Sequence, residues 1–493
     1  MLKLTHSGLM AIVCGALSGC TLAPNYERPA APVSQQWPAS PTPSPAGKAA
    51  AELDWRDFFQ DARLQATIAL ALDNNRDLRV ATLNVARVQA LYRVQRAALF
   101  PEIDASGTGT RSRTPADLSA TGRTVTGSSY QVGLGASAYE LDLFGRVQSL
   151  RDEQLEQYFA TEEARRSAQI SLVAQVANQY VVERANAERQ EIAQGTLDSL
   201  EKSLALTERQ FEAGVVSELD LRTVESQVQT ARADLASYTQ AHAQAINALV
   251  LLTGAPLPDN LPPAQALASH RLVDDLPAGL PSELLTRRPD ILEAEHQLKS
   301  ANASIGAARA AFFPSIRLTV FGGTSSAELD GLFKQGSGAW SFSPQVTLPI
   351  FAGGRNRANL DAAKLEKQIE IAQYEKAIQT AFREVADELV AQPSIRVQVA
   401  AQTARVAAEQ RRYALATERY QQGVDSYVVL LTAQRDLFSA QQLLIQAQQA
   451  RLTSLINLYK ALGGGWSNEP AAGPAASRSA AGRAPGSAAA AFR

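Results

Sequence analysis

The sequence predicts a fold that combines long α-helices with a membrane β-barrel, built from a duplicated unit of two strands plus long helical hairpins. The first observation is an internal repeat, in which Ala97-Ala98-Leu99-Phe100-Pro101 recurs as Ala310-Ala311-Phe312-Phe313-Pro314. The second is a pair of equally long segments, 146–212 and 355–421, that contain almost no proline or glycine. The third is a set of four short segments in which apolar residues alternate with small or polar ones. The two copies of the first motif lie about 213 residues apart, and a repeat of this length indicates two fused copies of one large unit rather than a solenoid.

The N-terminus predicts export and lipid attachment. Residues 1–19 have the outline of a secretory signal peptide, and Leu17-Ser18-Gly19-Cys20 resembles the lipobox of bacterial lipoproteins. Cys20 is therefore expected to become the first residue and to carry diacylglycerol and an N-acyl chain, with no other cofactor. Thr21 follows it, where an inner-membrane retention signal usually has Asp, and this favours the outer membrane. Because Cys14 is removed with the signal, the mature chain cannot form an internal disulfide.

Composition excludes several classes of function. The 493-residue chain has a net charge of −2 and a pI near 6.2, so it lacks the basic field of a nucleic-acid-binding protein. After the signal, no apolar run approaches the ~18 residues of a membrane helix. If the chain crosses a membrane, it must do so as strands of a closed barrel, since open sheet edges cannot lie in hydrocarbon.

The domain organisation follows from the repeat. A lipidated tether covers 20–52, the first unit 53–256, a linker 257–275, the second unit 276–466 and a disordered tail 467–493. The long helices 146–212 and 355–421 predict rods of roughly 100 Å. Pro393 is expected to kink or break the second rod.

Each rod is expected to turn at a glycine and return as a second helix. Gly214 and Gly423 suit the left-handed position after a helix C-terminus, and the returning helices cover 217–253 and 426–462. Ser217 and Asp220 have the spacing of a capping box. The returning helices carry a 3.5-residue seam, which predicts coiled-coil packing, although an amphipathic helix of a soluble bundle has a similar pattern. The seam positions are Leu221, Val224, Val228, Ala231, Leu235, Tyr238, His242, Ala245, Leu249 and Leu252, then Leu430, Ala433, Leu437, Ala440, Leu444, Ala447, Arg451, Ser454, Leu458 and Ala461.

Strands are predicted at about 101–112, 129–141, 314–323 and 338–350. Apolar residues from Tyr130 to Ala138 alternate with small or polar ones, as a membrane strand beside a wet lumen requires. Pro344 is awkward within a ladder and indicates a bulge or bend. Four strands cannot close a membrane barrel, which needs about eight, so the chain must oligomerise.

No catalytic or metal-binding pattern was found, and the chain is not expected to be an enzyme. The four histidines lack metal-ligand spacing, and His242 is expected to be a packed or lumen-facing residue. Asp290, at a probable helix start after Arg287-Arg288-Pro289, is expected to neutralise exposed helix N–H groups.

Several motifs together resemble those of the TolC-like outer-membrane factors of tripartite efflux pumps, in the lipoprotein branch of that family. These motifs are Cys20-Thr21-Leu22-Ala23-Pro24-Asn25-Tyr26, Tyr139-Glu140-Leu141-Asp142-Leu143-Phe144-Gly145-Arg146, Arg287-Arg288-Pro289-Asp290-Ile291, Ala308-Arg309-Ala310-Ala311-Phe312-Phe313-Pro314 and Asn457-Leu458-Tyr459-Lys460-Ala461-Leu462-Gly463-Gly464-Gly465-Trp466. The resemblance implies a homotrimer with a 12-stranded barrel and an α-helical periplasmic tunnel. It also implies two partners, a periplasmic adaptor and an inner-membrane RND transporter. The expected location is the outer membrane, with the helices extending into the periplasm.

The resemblance also suggests functional positions on the two hairpins. The periplasmic aperture maps near Tyr427, Val428, Thr432 and Arg435, although these residues are also compatible with a plain coiled-coil surface. Several relatives have Asp where Thr432 stands, so Asp425 or Asp436 would have to supply an acidic ring. Adaptor docking maps to the two tips, at Gly214, Val215, Gly423 and Val424.

Three functions remain open from the sequence. The motifs favour an exit duct that passively conducts the substrates of an efflux pump. A duct for type I protein secretion has the same architecture. A coiled-coil scaffold lipoprotein of the periplasm is the non-channel alternative, and the four alternating strands argue against it.

Overall fold

The computed structural model describes residues 21–37, 50–270, 272, 276–277 and 281–466. The predicted signal peptide, Cys20, residues 38–49 of the tether, parts of the linker and the predicted tail 467–493 lie outside the described residues. No helix in the described part of the chain is both long and apolar enough to cross a membrane.

Nine α-helices and four β-strands occupy the described residues. The helices are α1 (Trp55–Phe58), α2 (Ala62–Asn74), α3 (Arg76–Ala97), α4 (Arg146–Glu212), α5 (Glu218–Thr253), α6 (Pro281–Arg287), α7 (Pro289–Ala310), α8 (Arg355–Gln421) and α9 (Tyr427–Ala461). The strands are β1 (Asp104–Thr114), β2 (Val125–Leu141), β3 (Ser315–Ser326) and β4 (Gly338–Thr347). The order α3-β1-β2-α4-α5 is repeated as α7-β3-β4-α8-α9, which is the duplicated unit that the sequence predicted.

Two long helical hairpins, α4–α5 and α8–α9, dominate the molecule. Helices α4 and α8 each contain 67 residues and coincide with the predicted rods. The returning helices begin one residue later than predicted because Ser217 and Ser426 are the N-caps. The capping box of Ser217 and Asp220 is confirmed. Every predicted seam position is buried or half-buried.

Pro393 does not break α8, so that part of the prediction is wrong. The helix continues through it from Arg355 to Gln421. Proline removes one backbone donor, but its fixed φ suits a helix. Packing against α9 supports this stretch: Gln392 Nε2 donates to Ser454 Oγ at 3.2 Å, and Ser454 Oγ donates to Glu388 Oε2 at 2.5 Å.

The strands form one antiparallel sheet in the order β1-β2-β3-β4, so β1 and β4 are its two edges. The predicted bounds are shifted by a few residues. Strand β2, for example, begins at Val125 rather than at 129, because its first residues pair with β1 without showing any apolar alternation.

The irregularity of the sheet lies in β2 and not at Pro344, which pairs regularly with Leu318 at the edge of the sheet. The register shifts between Ala136 and Tyr139, and Ala138 has a φ of 54°. This β-bulge reverses the alternation of side chains beyond it. Tyr139 and Leu141 therefore share the apolar face of the sheet, and the predicted alternation fails at Ala138.

The main apolar core lies where the short helices meet the central parts of α4 and α8 and the C-terminal parts of α5 and α9. Phe58 stacks on Tyr459 with 4.0 Å between ring centroids, and the Tyr459 hydroxyl donates to the carbonyl of Leu53 at 2.6 Å. The predicted linker 257–275 is partly core: Leu267 and His270 are buried, and His270 Nδ1 lies 3.0 Å from Asp61 Oδ2.

The described part of the predicted tether is bound to the body and is not a free spacer. Arg28 forms two hydrogen bonds with Glu295 of α7, at 3.1 and 2.7 Å. Trp37 stacks on Phe382 of α8, with ring centroids 4.8 Å apart. These contacts outweigh the proline-rich, extended character from which a tether was predicted.

A nearly buried arginine, Arg288, joins three helices of the second unit. The Arg288 guanidinium donates to Asp290 at 2.9 and 2.5 Å, to Glu384 of α8 at 2.8 Å and to the carbonyl of Ala461 at 3.1 Å. It therefore links the start of α7 to α8 and to the end of α9. Arg287, in contrast, forms only half-exposed pairs with Glu52 and Glu283.

We expect Arg288→Ala to lower the free energy of unfolding by about 3 kcal/mol, because it leaves two carboxylates and a buried carbonyl without their partner. Arg287→Ala is the matched control and should cost about 0.5 kcal/mol, as for an exposed ion pair. Urea unfolding in detergent, followed by far-UV circular dichroism, measures both. Equal losses would show that Arg288 is not the link described here.

Candidate functional site at the hairpin tips and the strand–helix junction

Both hairpins turn through the same backbone motif. At the first tip, Gly214 has a φ of 70°, its N–H donates to Phe211 at 2.9 Å, and the N–H of Val215 donates to Gln210 at 2.8 Å. This pair of hydrogen bonds defines a Schellman motif. The predicted left-handed glycine is therefore confirmed here.

The second tip repeats this geometry. Gly423 has a φ of 72°, its N–H donates to Tyr420 at 3.0 Å, and the N–H of Val424 donates to Arg419 at 2.9 Å. Val215 and Val424 occupy equivalent positions, and both side chains are exposed. Each tip therefore presents an uncovered apolar side chain on a rigid turn. Their role in docking an adaptor stays a prediction.

An ion pair closes the second tip, whereas no ion pair between described residues spans the first. Arg419 Nε and Nη2 donate to the two carboxylate oxygens of Asp425, at 2.6 and 2.9 Å. The hydrogen bond from Arg419 holds the pKa of the Asp425 carboxyl below its ordinary value. The carboxylate is therefore ionised at neutral pH. Sequence analysis missed this pair, although an arginine and an aspartate six residues apart across a Schellman turn could have indicated it.

The predicted aperture residues divide between two environments. Val428, Thr432 and Arg435 follow one another at intervals of four and three residues, which places them on one face of α9. Val428 and Arg435 are exposed, and the Thr432 hydroxyl donates to the carbonyl of Val428 at 2.8 Å. The exposed side chains of Val428 and Arg435 are compatible with the lining of an aperture.

Tyr427 lies apart from that face. Its ring centroid is 5.4 Å from that of Tyr420, and it packs with Leu431 against the cluster of Leu197 and Leu200 on α4. Burial raises the pKa of its hydroxyl. Tyr427 therefore joins the second tip to the first hairpin and does not lie with the exposed aperture residues.

The two candidate acidic residues already have partners within the chain. Asp425 pairs with Arg419, and Asp436 accepts from Arg412 at 2.8 Å and from Arg435 at 3.5 Å. The Arg412 hydrogen bond lowers the pKa of Asp436. That either residue supplies an acidic ring in place of Thr432 stays a prediction.

At the other end of the helices, the β2 bulge creates a charged junction between strands and helices. Glu140 is directed to the polar face of the sheet and accepts two hydrogen bonds of 2.7 Å from Arg146, the first residue of α4. Arg317, its partner in the ladder, lies 4.0 Å away. Glu140, Arg146 and Arg317 line a cavity of about 300 Å³, and Arg355, the first residue of α8, lines it as well. The polar face of the sheet thus continues into the start of both long helices.

The histidines and Asp290 have structural surroundings. His242 lies 2.9 Å from both Glu183 and Gln190, between α4 and α5, as a packed seam residue. Asp290 accepts from the N–H of Ile291 at 3.0 Å and from Arg288, in agreement with the helix-start role. In the described part of the chain, no cluster of three or more side chains could hold a metal ion. The predicted lipidation site, Cys20, lies outside the described residues.

Comparisons with known proteins agree with this geometry. The family described as outer membrane efflux protein matches residues 67–255 and 280–464, one segment for each unit. The chain is 50% identical over 460 residues to the toluene efflux pump outer membrane protein TtgC of Pseudomonas putida, covering 93% of this chain and 95% of that protein. It is 47% identical over 458 residues to the outer membrane protein OprJ of Pseudomonas aeruginosa, with the same coverage of 93% and 95%.

Solved structures give the same result. The structure superposes on the open state of the Neisseria gonorrhoeae MtrE outer membrane channel with a TM-score of 0.83 and 42% identity. The match covers 90% of this chain and 98% of that one. The similarity therefore extends over strands and hairpins together.

We expect Arg419→Ala to loosen the second tip without unfolding the hairpin, because it removes the only side-chain clamp described across this turn. Amide hydrogen exchange should accelerate between 419 and 427 and stay unchanged around Gly214. Arg411→Ala, at an exposed arginine about two turns earlier in α8, is the control and should have no effect. Unchanged exchange in Arg419→Ala would show that the Schellman motif alone holds the tip.

Proposed function

The chain belongs to the outer membrane efflux protein family, and we propose that it is the exit duct of a tripartite pump that expels small molecules. It lies in the outer membrane and extends into the periplasm. The observation that carries the proposal is the continuity of the four-stranded sheet with two hairpins of 67-residue helices. In this arrangement the sheet contributes to a barrel and the helices to a tunnel beneath it. Transport is passive, and energy comes from the inner-membrane partner.

The internal repeat supports assembly into a ring. Within the chain, α7 of the second unit packs between α4 and α8, and most of its apolar residues are buried. Its counterpart in the first unit, α3, packs against α4 but has only Val88 buried among its described side chains. Its exposed large apolar residues are Val80, Leu83, Leu91 and Val94. A second copy that supplies its α8 would give α3 the same surroundings as α7.

Aligning the two units identifies the contact between copies. When Phe100-Pro101 is placed on Phe313-Pro314, Leu83 takes the position of His296. When α4 and α8 are aligned from their first residues, Leu365 takes the position of Glu156. His296 and Glu156 are in contact within the chain at 2.6 Å, whereas Leu83 and Leu365 are 60% and 58% exposed. The same symmetry pairs β4 of one copy with β1 of the next.

Three copies, with four strands each, give the 12-stranded barrel that the sequence analysis expected, and four strands alone fall below the number that closes a barrel. Antiparallel order is preserved at the new junction, because β1 and β4 run in opposite directions. A homotrimer is therefore the proposed assembly.

The two tips are the proposed docking site for a periplasmic adaptor, which connects the duct to an RND transporter. Val215 and Val424 support this role, because both are exposed apolar side chains on turns with the same geometry. The relatives are named for the efflux of toluene or antibiotics, which supports small-molecule substrates over secreted proteins.

Lipidation of Cys20 is also part of the proposal. It is supported by the contacts of the next two residues: Thr21 Oγ1 lies 3.2 Å from Ser149 Oγ, and Arg309 donates to the carbonyl of Leu22 at 2.9 Å. Ser149 lies in the first turn of α4, and Arg309 lies at the end of α7, shortly before β3 begins. An acyl chain on the preceding residue would start close to the membrane-facing sheet.

Deleting the gene should raise the steady-state level of the dye N-phenyl-1-naphthylamine in energised cells several-fold, and re-expression should restore it, since an absent duct blocks the final step. Whole-cell fluorescence measures the dye. Extracellular protein, compared by mass spectrometry, should not change. Normal dye efflux together with lost protein export would assign the chain to secretion.

We expect the double variant Leu83→Cys with Leu365→Cys to form disulfide-linked dimers and trimers under mild oxidation, because these side chains meet between copies. Non-reducing electrophoresis measures the products. Leu83→Cys with Val390→Cys is the control: Val390 is exposed on the same helix but roughly 37 Å further along it. Cross-linking in the control alone, or in neither variant, would contradict the proposed ring.

A further inference from the structure

Two arginines of β1 lie on the apolar face of the sheet, beyond the point where its apolar residues end. In an antiparallel pair, residues opposite each other share a face. The rows Ala105–Leu134, Gly107–Val132 and Gly109–Tyr130 carry the apolar face, and the next two rows are Arg111–Ser128 and Arg113–Thr126. The opposite face of the hairpin carries mainly polar or small residues, with rows such as Thr108–Gln131 and Thr110–Ser129. The two arginines therefore project outward and not into the polar interior.

A tyrosine marks the boundary between the apolar rows and the basic rows. Tyr130 lies across Gly109: its Cδ1 and Cε1 are 3.2 and 3.3 Å from the place that a Cβ on this glycine would occupy. Aromatic side chains of membrane strands concentrate at the two interfaces of the bilayer. Arg111 lies two residues beyond Gly109 along β1, which is about 7 Å further toward the turn.

The direction along the strand identifies the outer leaflet. Helices α3 and α4 join the β1–β2 hairpin at its open end, so its turn is the end furthest from the helical body. Because the helices extend into the periplasm, the turn faces the cell exterior. From Asp104 to Arg111 the strand rises about 24 Å, which is close to the ~25 Å height of the apolar band of such proteins.

The charges of Arg111 and Arg113 are uncompensated in the described part of the chain. Both side chains are exposed, and neither forms an ion pair or hydrogen bond with another described residue. Arg123, in the turn that follows, is exposed as well. The corresponding β3–β4 turn differs, because its Lys334 pairs with Asp330 at 2.8 Å.

We propose that Arg111 and Arg113, with Arg123 adding charge beside them, form a basic cluster that binds the phosphate groups of a phosphorylated glycolipid in the outer leaflet. Guanidinium groups bind phosphate through paired, charge-assisted hydrogen bonds, and the phosphates lie where the apolar band ends. In a ring of copies, the cluster recurs around the outer rim of the barrel. This surface requires the outer-membrane location but no particular transported substrate.

The test compares lipid binding by the purified full-length protein and by Arg111→Gln/Arg113→Gln. Diphosphoryl lipid A in detergent micelles is titrated against labelled protein by microscale thermophoresis. We expect the double variant to bind roughly a hundredfold more weakly, since each of the two arginines loses a hydrogen bond to a charged group, worth about tenfold in affinity. Arg111→Lys/Arg113→Lys should recover part of the affinity, and Lys334→Gln, at the neighbouring turn, should bind like the native protein.

Three results would overturn the proposal. Equal affinity of the native protein and the double glutamine variant would exclude these arginines. Competition by millimolar inorganic phosphate, with no preference for diphosphoryl over monophosphoryl lipid, would indicate a site for free phosphate. A lower thermal stability of the double variant in lipid-free detergent would indicate that the arginines pair with an adjacent copy, for example with Glu328. Dye efflux and outer-membrane fractionation are separate readouts, so this proposal can fail while the proposed function stands.

Discussion

The structure depends on the two unpaired edges of its sheet. Strands β1 and β4 each leave a row of backbone N–H and C=O groups without partners among the described strands. Water satisfies such groups, but hydrocarbon does not, so an outer-membrane sheet must close on itself. Closure requires further copies, and the long helices attached to each pair of strands are brought into the same ring. A requirement of the backbone at one end of the molecule thus determines the arrangement of rods at the other.

The β2 bulge connects these two ends. Without it, Glu140 would lie on the apolar face, where an ionised carboxylate is costly. The extra residue at the bulge, with Ala138 in a left-handed conformation, turns Glu140 toward Arg146 and Arg317 and turns Tyr139 outward. The Tyr139 hydroxyl then donates to the carbonyl of Leu99 at 3.0 Å, at the end of the adjoining helix. The bulge therefore exchanges which residues of β2 lie on the apolar and polar faces of the sheet. It does so at the place where the polar interior passes from the strands to the helices.

Much of the architecture could be predicted because its signals are periodic and long. The absence of proline between Arg146 and Glu212, with Gly195 as the only glycine, predicted a complete helix, and Ser217 with Asp220 predicted the start of the next. The features that were missed depend on contacts distant in sequence. In the sequence, Trp37 lies within a proline-rich stretch, and its stacking on Phe382 becomes evident only in the structure. The bulge at Ala138 sits inside an otherwise regular alternation, and the proline at 393 is tolerated because α9 supports the helix beside it. At the tips, the backbone turns could be predicted from glycine, but the Arg419–Asp425 pair could not be predicted from periodicity.

The divergence of the two units at one equivalent contact has a consequence for assembly. Inside the chain, His296 meets Glu156 through polar atoms, whereas the aligned pair Leu83 and Leu365 is apolar and uncovered. Covalently joined segments meet at an effective concentration in the millimolar range, so a polar contact of modest strength is sufficient between them. Separate chains lack that advantage and depend on buried apolar area. Fusion of the two units therefore leaves each chain with two different contact surfaces, one on α3 at Leu83 and one on α8 at Leu365. Because these two surfaces differ, copies associate head to tail. A closed ring is the arrangement in which every such surface is covered by a neighbouring copy.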